Sequence, residues 1–558
     1  MNTSLTELME SAAAGPGYPS IIESGDGREV PLARLLEMSR TAARELRRRG
    51  VHRGDRVGLV IENGTGFFRA LFATMYAGGV AVPLALPQAM GMHSFMAHLG
   101  RVTADSGMRH VVVGHRVLRL IRRQPGAAAG GAGAAGGAAL IDEGELPGTG
   151  AGLAEAADAL ALIQYTSGST SAPKGVMLTH GNVIAGLDAI RLASALTAAD
   201  VVGLWLPLFH DMGLISALSC LAVGGRIVLW RPADFVRRPA QWLSEFAGRG
   251  GTTSPGPNFF FDYLTEAADE VPEDVDLSRW RLALNGAETV RAETIERFCA
   301  CFGRHGFRRE AMVPVYGMAE ATLAVTFPPL GRDPSILWVD RASLRSGAPA
   351  AQSGPDALDA WPLVGVGRPV PGLRARVAGA NGADGVVNEI EITGAPVTGG
   401  YYGRNDAGLF TADGWLRTGD VGFFRSGELY IAGRSKDAIV IRGMNYFAED
   451  AEAVVRDLPG IYRRHCAAVA GEGAGGECLA VIAETADEDD SARRSLAAVI
   501  RSEISRSLGP VDVAVHLVSP RTLPRTSSGK IQRAKARALL LAGPPAPGRQ
   551  ERREQGRD

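Results

Sequence analysis

The stretch Tyr165 to Gly175, Tyr-Thr-Ser-Gly-Ser-Thr-Ser-Ala-Pro-Lys-Gly, brings together the groups needed to surround a polyphosphate. Thr166, Ser167, Gly168, Ser169 and Thr170 offer hydroxyls and backbone N–H groups in a small-residue loop. Lys174 adds a positive charge behind Pro173, which stiffens the turn. The apolar run Leu160 to Ile163 just before it reads as a buried strand. The Walker pattern is absent, because no Gly-Lys-Ser/Thr follows four residues after a glycine. A Ser/Thr/Gly run alone is often a surface loop. The preceding strand and the Pro-Lys-Gly ending favour phosphate binding, and with it nucleotide chemistry.

Further motifs follow in order: Leu206-Pro-Leu-Phe-His210-Asp-Met-Gly213, Asn285-Gly-Ala-Glu288, Tyr316-Gly-Met-Ala-Glu320-Ala-Thr322, Trp415-Leu-Arg-Thr-Gly-Asp420, Gly433-Arg434-Ser-Lys436-Asp437 and Pro524-Arg-Thr-Ser-Ser-Gly-Lys530-Ile531. A carboxylate attacks a triphosphate poorly because both are anions, so an enzyme joining them must neutralise charge and fix an in-line geometry. Glu320 is a hard oxygen ligand suited to Mg²⁺ bridging phosphates, and the Thr170 hydroxyl is its expected companion. Asp420, as an acceptor-only carboxylate, can take both ribose hydroxyls; as a bare residue it also suits a turn after glycine. Gly286, Ala287 and Glu288 form a small-residue turn that lets backbone approach a flat base. Tyr316 can stack on that base, and Gly317 and Met318 complete this wall. Arg434 is a further ribose or phosphate contact. Lys530 lies in a Ser/Gly-rich loop, which suits a charge that enters for one half-reaction only.

Taken together, these motifs resemble the adenylate-forming superfamily: acyl-CoA synthetases, peptide-synthetase adenylation domains and luciferases. The resemblance covers about residues 25 to 540. It implies ATP and Mg²⁺ as cofactors, Lys530 as the adenylation catalyst, Lys436 as the hinge of a mobile small domain, and His210 as a gate to the acyl carboxylate. Read alone, His210 would more often be a buried hydrogen-bonded histidine. Within the superfamily the chain looks most like the fatty-acyl-AMP ligases, which load fatty acids onto the phosphopantetheine of an acyl-carrier protein. The His210 and Glu320 motifs, Asn285 to Glu288 and Ile441-Arg442-Gly443-Met444-Asn445-Tyr446 carry that resemblance. So does an insertion at about 334–362, which in those ligases restrains the small domain and disfavours CoA. Two positions depart from the pattern: Ser171 replaces a glycine and Phe209 a tyrosine. The apolar segments Leu214 to Leu218 and Pro255 to Phe261 suit an acyl chain, or simply a core. A CoA ligase and an enzyme for an unusual small or aromatic acid are the rival readings. A non-catalytic acyl- or nucleotide-binding protein is disfavoured by Lys174, Glu320, Asp420 and Lys530 occurring together.

The elements that must position these groups read as α/β. Leu32 to Arg49 places Leu32, Leu35, Leu36, Ala42, Ala43 and Leu46 on one helical face. Short apolar strands at 56–61, 80–82 and 110–113 alternate with helices, the pattern of largely parallel sheets. Residues 1–435 are expected to form a large nucleotide- and acyl-binding domain, 436–542 a small mobile α/β domain and 543–558 a disordered tail. Pro125 to Gly152, rich in Ala and Gly, reads as a surface linker, and Pro334 to Pro362 as an irregular stretch with a short helix near Arg341 to Leu344.

The 558 residues exceed one core. Lys+Arg 59 against Asp+Glu 60 provides no general field for nucleic acid or an anionic membrane, so a small anionic ligand needs a local site. Five cysteines without a Cys-x-x-Cys pair argue against a disulfide framework or zinc site. No signal peptide and no apolar run of spanning length are evident, so a cytoplasmic protein without a membrane span is expected.

Overall fold

The computed structural model describes residues 3–87, 92–123, 137–150, 152–153, 159–166, 174–357, 360–441, 444–473, 476–508, 511–525 and 531–541. Ser167, Gly168, Ser169, Thr170, Ser171, Lys530, the side chain of Lys436 and the expected tail lie outside the described residues.

Two large sheets dominate. The first runs in the order Met312–Pro314, Leu282–Asn285, Thr253–Gly256, Val201–Leu204, Arg226–Leu229, Ser20–Glu23 and Glu29–Pro31. The second runs Ala139–Asp142, His110–Val113, Arg56–Val60, Val80–Pro83, Leu160–Thr166 and Lys174–Thr179. Each is parallel except for its last pair. Strands such as Val201–Leu204 and Leu282–Asn285 are buried along their whole length, which is why they read as continuous apolar runs rather than alternating ones. The helix Leu32–Arg48 buries Leu32, Leu35, Leu36, Ala42, Ala43 and Leu46, as its periodicity predicts.

Antiparallel structure follows. Leu373–Val377, Asn388–Gly394, Leu416–Arg425 and Glu428–Arg434 form a four-stranded sheet. Beyond it, a separate apolar cluster gathers Ile439, Ile441 and Tyr446 with Val455, Cys466, Leu479, Ile500 and Ile504. Its three-stranded sheet joins Cys466–Gly473, Gly476–Glu484 and Val513–Val518, flanked by helices Ala448–Arg456 and Asp490–Leu508.

Two sequence expectations need correction. Inside the supposed linker Pro125 to Gly152, Ala139–Asp142 is an edge strand, paired in parallel with His110–Val113. One covered edge and four residues suffice for a strand, and flanking Ala and Gly dilute the signal. Within Pro334 to Pro362, Ile336–Asp340 pairs antiparallel with Ala360–Val364 rather than running irregularly. The ribbon has its own core of Val339, Leu344, Ala350 and Leu363 against Val387, Phe423 and Tyr430.

Candidate active site

One cleft of about 1380 Å³ gathers most of the residues singled out by the sequence. Thr166, Lys174, His210, Glu320, Tyr316, Gly317 and Met318 line it, as do Ala287, Glu288, Asp420 and Arg434. Its volume exceeds the roughly 300–1,000 Å³ of a site for one small molecule. Gly286 stands behind the wall, where a Cβ would lie 2.8 Å from Val315 Cγ2 and 2.9 Å from its carbonyl oxygen. Ala287 then takes φ +68°, turning the chain along the cleft.

The antiparallel ladder pairs Thr166 with Lys174, so the two ends of the Ser/Thr/Gly loop are held together. The Lys174 ammonium lies 4.8 Å from the ring centroid of Tyr401. The Tyr401 hydroxyl donates to Glu320 Oε1 at 2.7 Å. Burial raises the Glu320 carboxyl above its usual range, and the Tyr401 hydrogen bond opposes that rise. Tyr401 thus joins the proposed phosphate-loop cation to the proposed metal ligand. Sequence reading missed it, although it stands in Gly399-Gly400-Tyr401-Tyr402, an aromatic pair behind two glycines. Among the described residues, no three His, Cys, Asp or Glu side chains cluster as a metal cage. The donor set still suits Mg²⁺, which commonly binds one or two carboxylates and completes its shell with phosphate oxygens and water.

The motif carrying Glu320 is tightly constrained. Gly317 admits no side chain, since a Cβ there would lie 2.1 Å from Leu323 O. Thr322 has φ +65° and ψ −54°, and Leu323 N–H donates to Ala321 O at 2.7 Å. This is a γ-turn of positive φ, strained for a β-branched residue by about 1–3 kcal/mol. The Thr322 hydroxyl donates to Pro396 O at 2.9 Å, and Gly186 leaves room for its side chain.

In the same cleft, Asp420 is 5% exposed. The Tyr316 hydroxyl donates to its Oδ2 at 2.6 Å and Arg434 Nε to its Oδ1 at 3.0 Å. Each oxygen keeps a further lone pair for a hydroxyl donor. Burial, reinforced by Asp420, raises the Tyr316 phenol well above its usual value and keeps it a donor.

His210 Nδ1 lies 2.6 Å from Asp211 Oδ1 at the start of helix Asp211–Ala222. Asn63 fixes the preceding turn, donating to Leu206 O and accepting from Leu208 N. Gly213 is required because a Cβ would lie 2.2 Å from Pro207 O. Gln164, which sequence reading also missed, donates to Phe209 O at 2.6 Å. It thereby joins the His210 turn to the strand that enters the Ser/Thr/Gly loop.

Arg525 and Ile531 pair as an isolated β-bridge, bracketing the segment that carries Lys530, and both line the cleft. Just beyond, Arg533 binds Glu452 through Nε at 2.8 Å and Nη2 at 2.7 Å, and Asp437 through Nη1 at 2.7 Å. This guanidinium ties the Lys530 segment to the start of the small unit. The 334–362 ribbon also reaches that unit. Arg341 Nη2 donates to Asp450 Oδ2 at 2.7 Å, with the two side chains 9% and 8% exposed. The guanidinium carbon lies 5.0 Å from the ring centroid of Trp361 and 5.6 Å from that of Tyr446.

The family model described as AMP-binding enzyme matches residues 8–402. The chain is 32% identical to the medium-chain-fatty-acid–[acyl-carrier-protein] ligase JamA of Moorena producens, over 94% of this chain and 92% of that protein. It is also 32% identical to the long-chain-fatty-acid–AMP ligase FadD32 of Mycolicibacterium smegmatis, over 93% and 90%. A structure from studies of fatty acyl-adenylate ligases of E. coli and L. pneumophila superposes with a TM-score of 0.85 at 31% identity, covering 97% of this chain and 98% of that one. The chain belongs to the AMP-binding enzyme family, whose members form adenylates, and is an AMP-forming acid ligase.

Proposed function

We propose that the protein activates a fatty acid with ATP, forming acyl-adenylate and pyrophosphate, and then passes the acyl group to the phosphopantetheine thiol of an acyl-carrier protein. The observation that carries this reading is the convergence of Lys174, Tyr401, Glu320, Asp420, Tyr316 and Arg434 on one cleft. JamA and FadD32 supply the fatty-acid substrate class by analogy, and JamA the carrier.

In this mechanism Thr166 to Lys174 hold the β- and γ-phosphates, and Asp420 with Arg434 fixes the ribose. Gly286 to Glu288 and Tyr316 receive the base. Glu320 and Thr170 would hold Mg²⁺, which neutralises phosphate charge when bound. His210 orients the carboxylate at the entrance to the apolar wall of Met212, Phe259 and Tyr263. Lys530 neutralises the α-phosphate as the carboxylate attacks it in line. Residues 436–541 then reorient about Lys436, withdrawing Lys530 and admitting the thiol. The Arg341–Asp450 contact supports the carrier over CoA as acceptor through the resemblance, since the insertion of fatty-acyl-AMP ligases restrains the small domain and disfavours CoA.

Pyrophosphate release measured across a panel of fatty, aromatic and small acids tests the proposal. Turnover confined to medium or long fatty acids is expected. Turnover confined to aromatic or small acids would contradict the assigned substrate class.

A further inference from the structure

Four charges, three of them (Asp262, Arg291 and Arg464) lining the cleft, form a closed ring of alternating sign. Asp262 Oδ2 lies 2.5 Å from Arg291 Nη2 and 3.4 Å from Arg464 Nη1. Arg464 Nε lies 2.8 Å from Asp457 Oδ1, and Asp457 Oδ2 is 3.7 Å from Arg291 Nη1. Asp262 and Arg291 belong to the large unit, while Asp457 and Arg464 belong to the small one. Glu266 adds an outer partner to Arg464 at 3.1 Å.

The ring is built into both walls of the cleft. Asp262 sits on helix Asn258–Glu266 beside Phe259 and Tyr263, which line the acyl side. Arg291 follows the turn at Gly286 to Glu288, and its N–H donates to Asn258 Oδ1 at 3.0 Å. On the small unit, Arg463 and Arg464 take φ +49° and +60° in succession. Left-handed backbone at two non-glycine residues is unfavourable, so contacts that this turn makes must hold it. Asp262 is 4% exposed and Arg464 30% exposed, so the ring is neither fully screened nor sealed from water.

We propose that this ring is a clasp for the adenylate-forming orientation, and that Arg464 and Asp457 are positioning residues that set the balance between acyl-adenylate formation and acyl transfer. The proposal rests on the reading that the small unit reorients between the two half-reactions. The ring is intact while Arg525 and Ile531, the ends of the Lys530 segment, line the cleft. Rotation of the small unit must separate Arg464 and Asp457 from Asp262 and Arg291. The clasp therefore favours the first half-reaction and opposes the second, without touching a reacting atom.

The test compares full-length Arg464→Glu and Arg464→Met with the unsubstituted chain in two separate assays. One is ATP–pyrophosphate exchange with an acid that the unsubstituted chain activates; the other is acyl transfer from chemically supplied acyl-adenylate. Arg464→Glu sets a carboxylate against Asp262, Glu266 and Asp457, and Arg464→Met removes the attraction only. Exchange is expected to fall about ten-fold and about three-fold respectively, with transfer retained or faster. If Arg464→Glu does not fold, Arg464→Met and Asp457→Asn carry the comparison. Unchanged exchange, or an equal loss of both half-reactions, would overturn the clasp. Absence of exchange in the unsubstituted chain with every fatty acid would instead overturn the functional reading, and the clasp with it.

Discussion

Replacing Arg341 by Met removes the only cation hydrogen-bonded to Asp450 among the described residues, and the size of the effect follows from that carboxyl. Burial pushes Asp450 up from 3.8 to about 6, even with Arg341 beside it. If undocking returns Asp450 to water at its ordinary value, the docked small unit binds the proton more tightly than the undocked one. Its contribution to docking is therefore full below about 3.8 and lost as pH rises through about 6. At about 1.36 kcal/mol per pH unit, docking the ionised group against Arg341 already costs about 3 kcal/mol relative to the neutral acid. Without Arg341, Asp450 can dock as the neutral acid, and at about pH 7.5 protonating it costs about 5 kcal/mol. The difference, about 2 kcal/mol, loosens docking about 30-fold; at about pH 6.5 it shrinks to about three-fold. Among the described residues Arg341 Nε and Nη1 have no hydrogen-bond partners, so losing the guanidinium also relieves some desolvation, offsetting its lost contacts with the Trp361 and Tyr446 rings. The assay is acyl-CoA formation at both pH values, because in the proposed mechanism transfer to CoA passes through the undocked state in proportion to its population. A rise about ten times larger at pH 7.5 than at pH 6.5 is expected. Equal effects at both pH values, or none at pH 7.5, would refute the reasoning.

Three other substitutions probe the cleft. Tyr401→Phe keeps the ring under Lys174 but removes the hydroxyl bonded to Glu320, so kcat/KM for Mg·ATP in pyrophosphate exchange should fall about ten-fold; an unchanged value would remove Tyr401 from the site. Gly317→Ala drives a Cβ to 2.1 Å from Leu323 O and should destabilise the large unit by about 3 kcal/mol, seen as a lower thermal midpoint; an unaltered midpoint would show that the Glu320 motif is less constrained than its geometry implies. Lys530→Ala should reduce adenylation at least about 100-fold and spare transfer from supplied acyl-adenylate; equal loss of both steps would deny it a role confined to the first.

The polar motifs were legible because each stands out against apolar strands. Lys174, Glu320 and Asp420 were selected as residue types suited to phosphate, metal and ribose, and the fold brings them to one cleft. Their partners were not legible. Tyr401 lies 81 residues from Glu320, and Arg341 lies 109 from Asp450; nothing local marks either pair. Helices with a sustained apolar face, such as Leu32–Arg48, declared themselves. Ala139–Asp142 did not, because a four-residue edge strand depends on its neighbour for definition. Met444–Phe447 and Arg533–Leu541 were missed for similar reasons. The first is half of a short two-stranded pair, and the second buries only Ala536 completely. The charge ring at Asp262, Arg291, Asp457 and Arg464 joins residues far apart along the chain that no local pattern marks.

The most direct test of the account is a single-turnover experiment. Acyl-adenylate formed by the protein from a fatty acid and ATP is divided between equal concentrations of a holo acyl-carrier protein and CoA. The account predicts acyl-carrier protein as the dominant product, with acyl-CoA near background. Acyl-CoA formed as fast as acyl-carrier protein would contradict it, leaving the adenylating cleft in place but assigning the protein to CoA ligation.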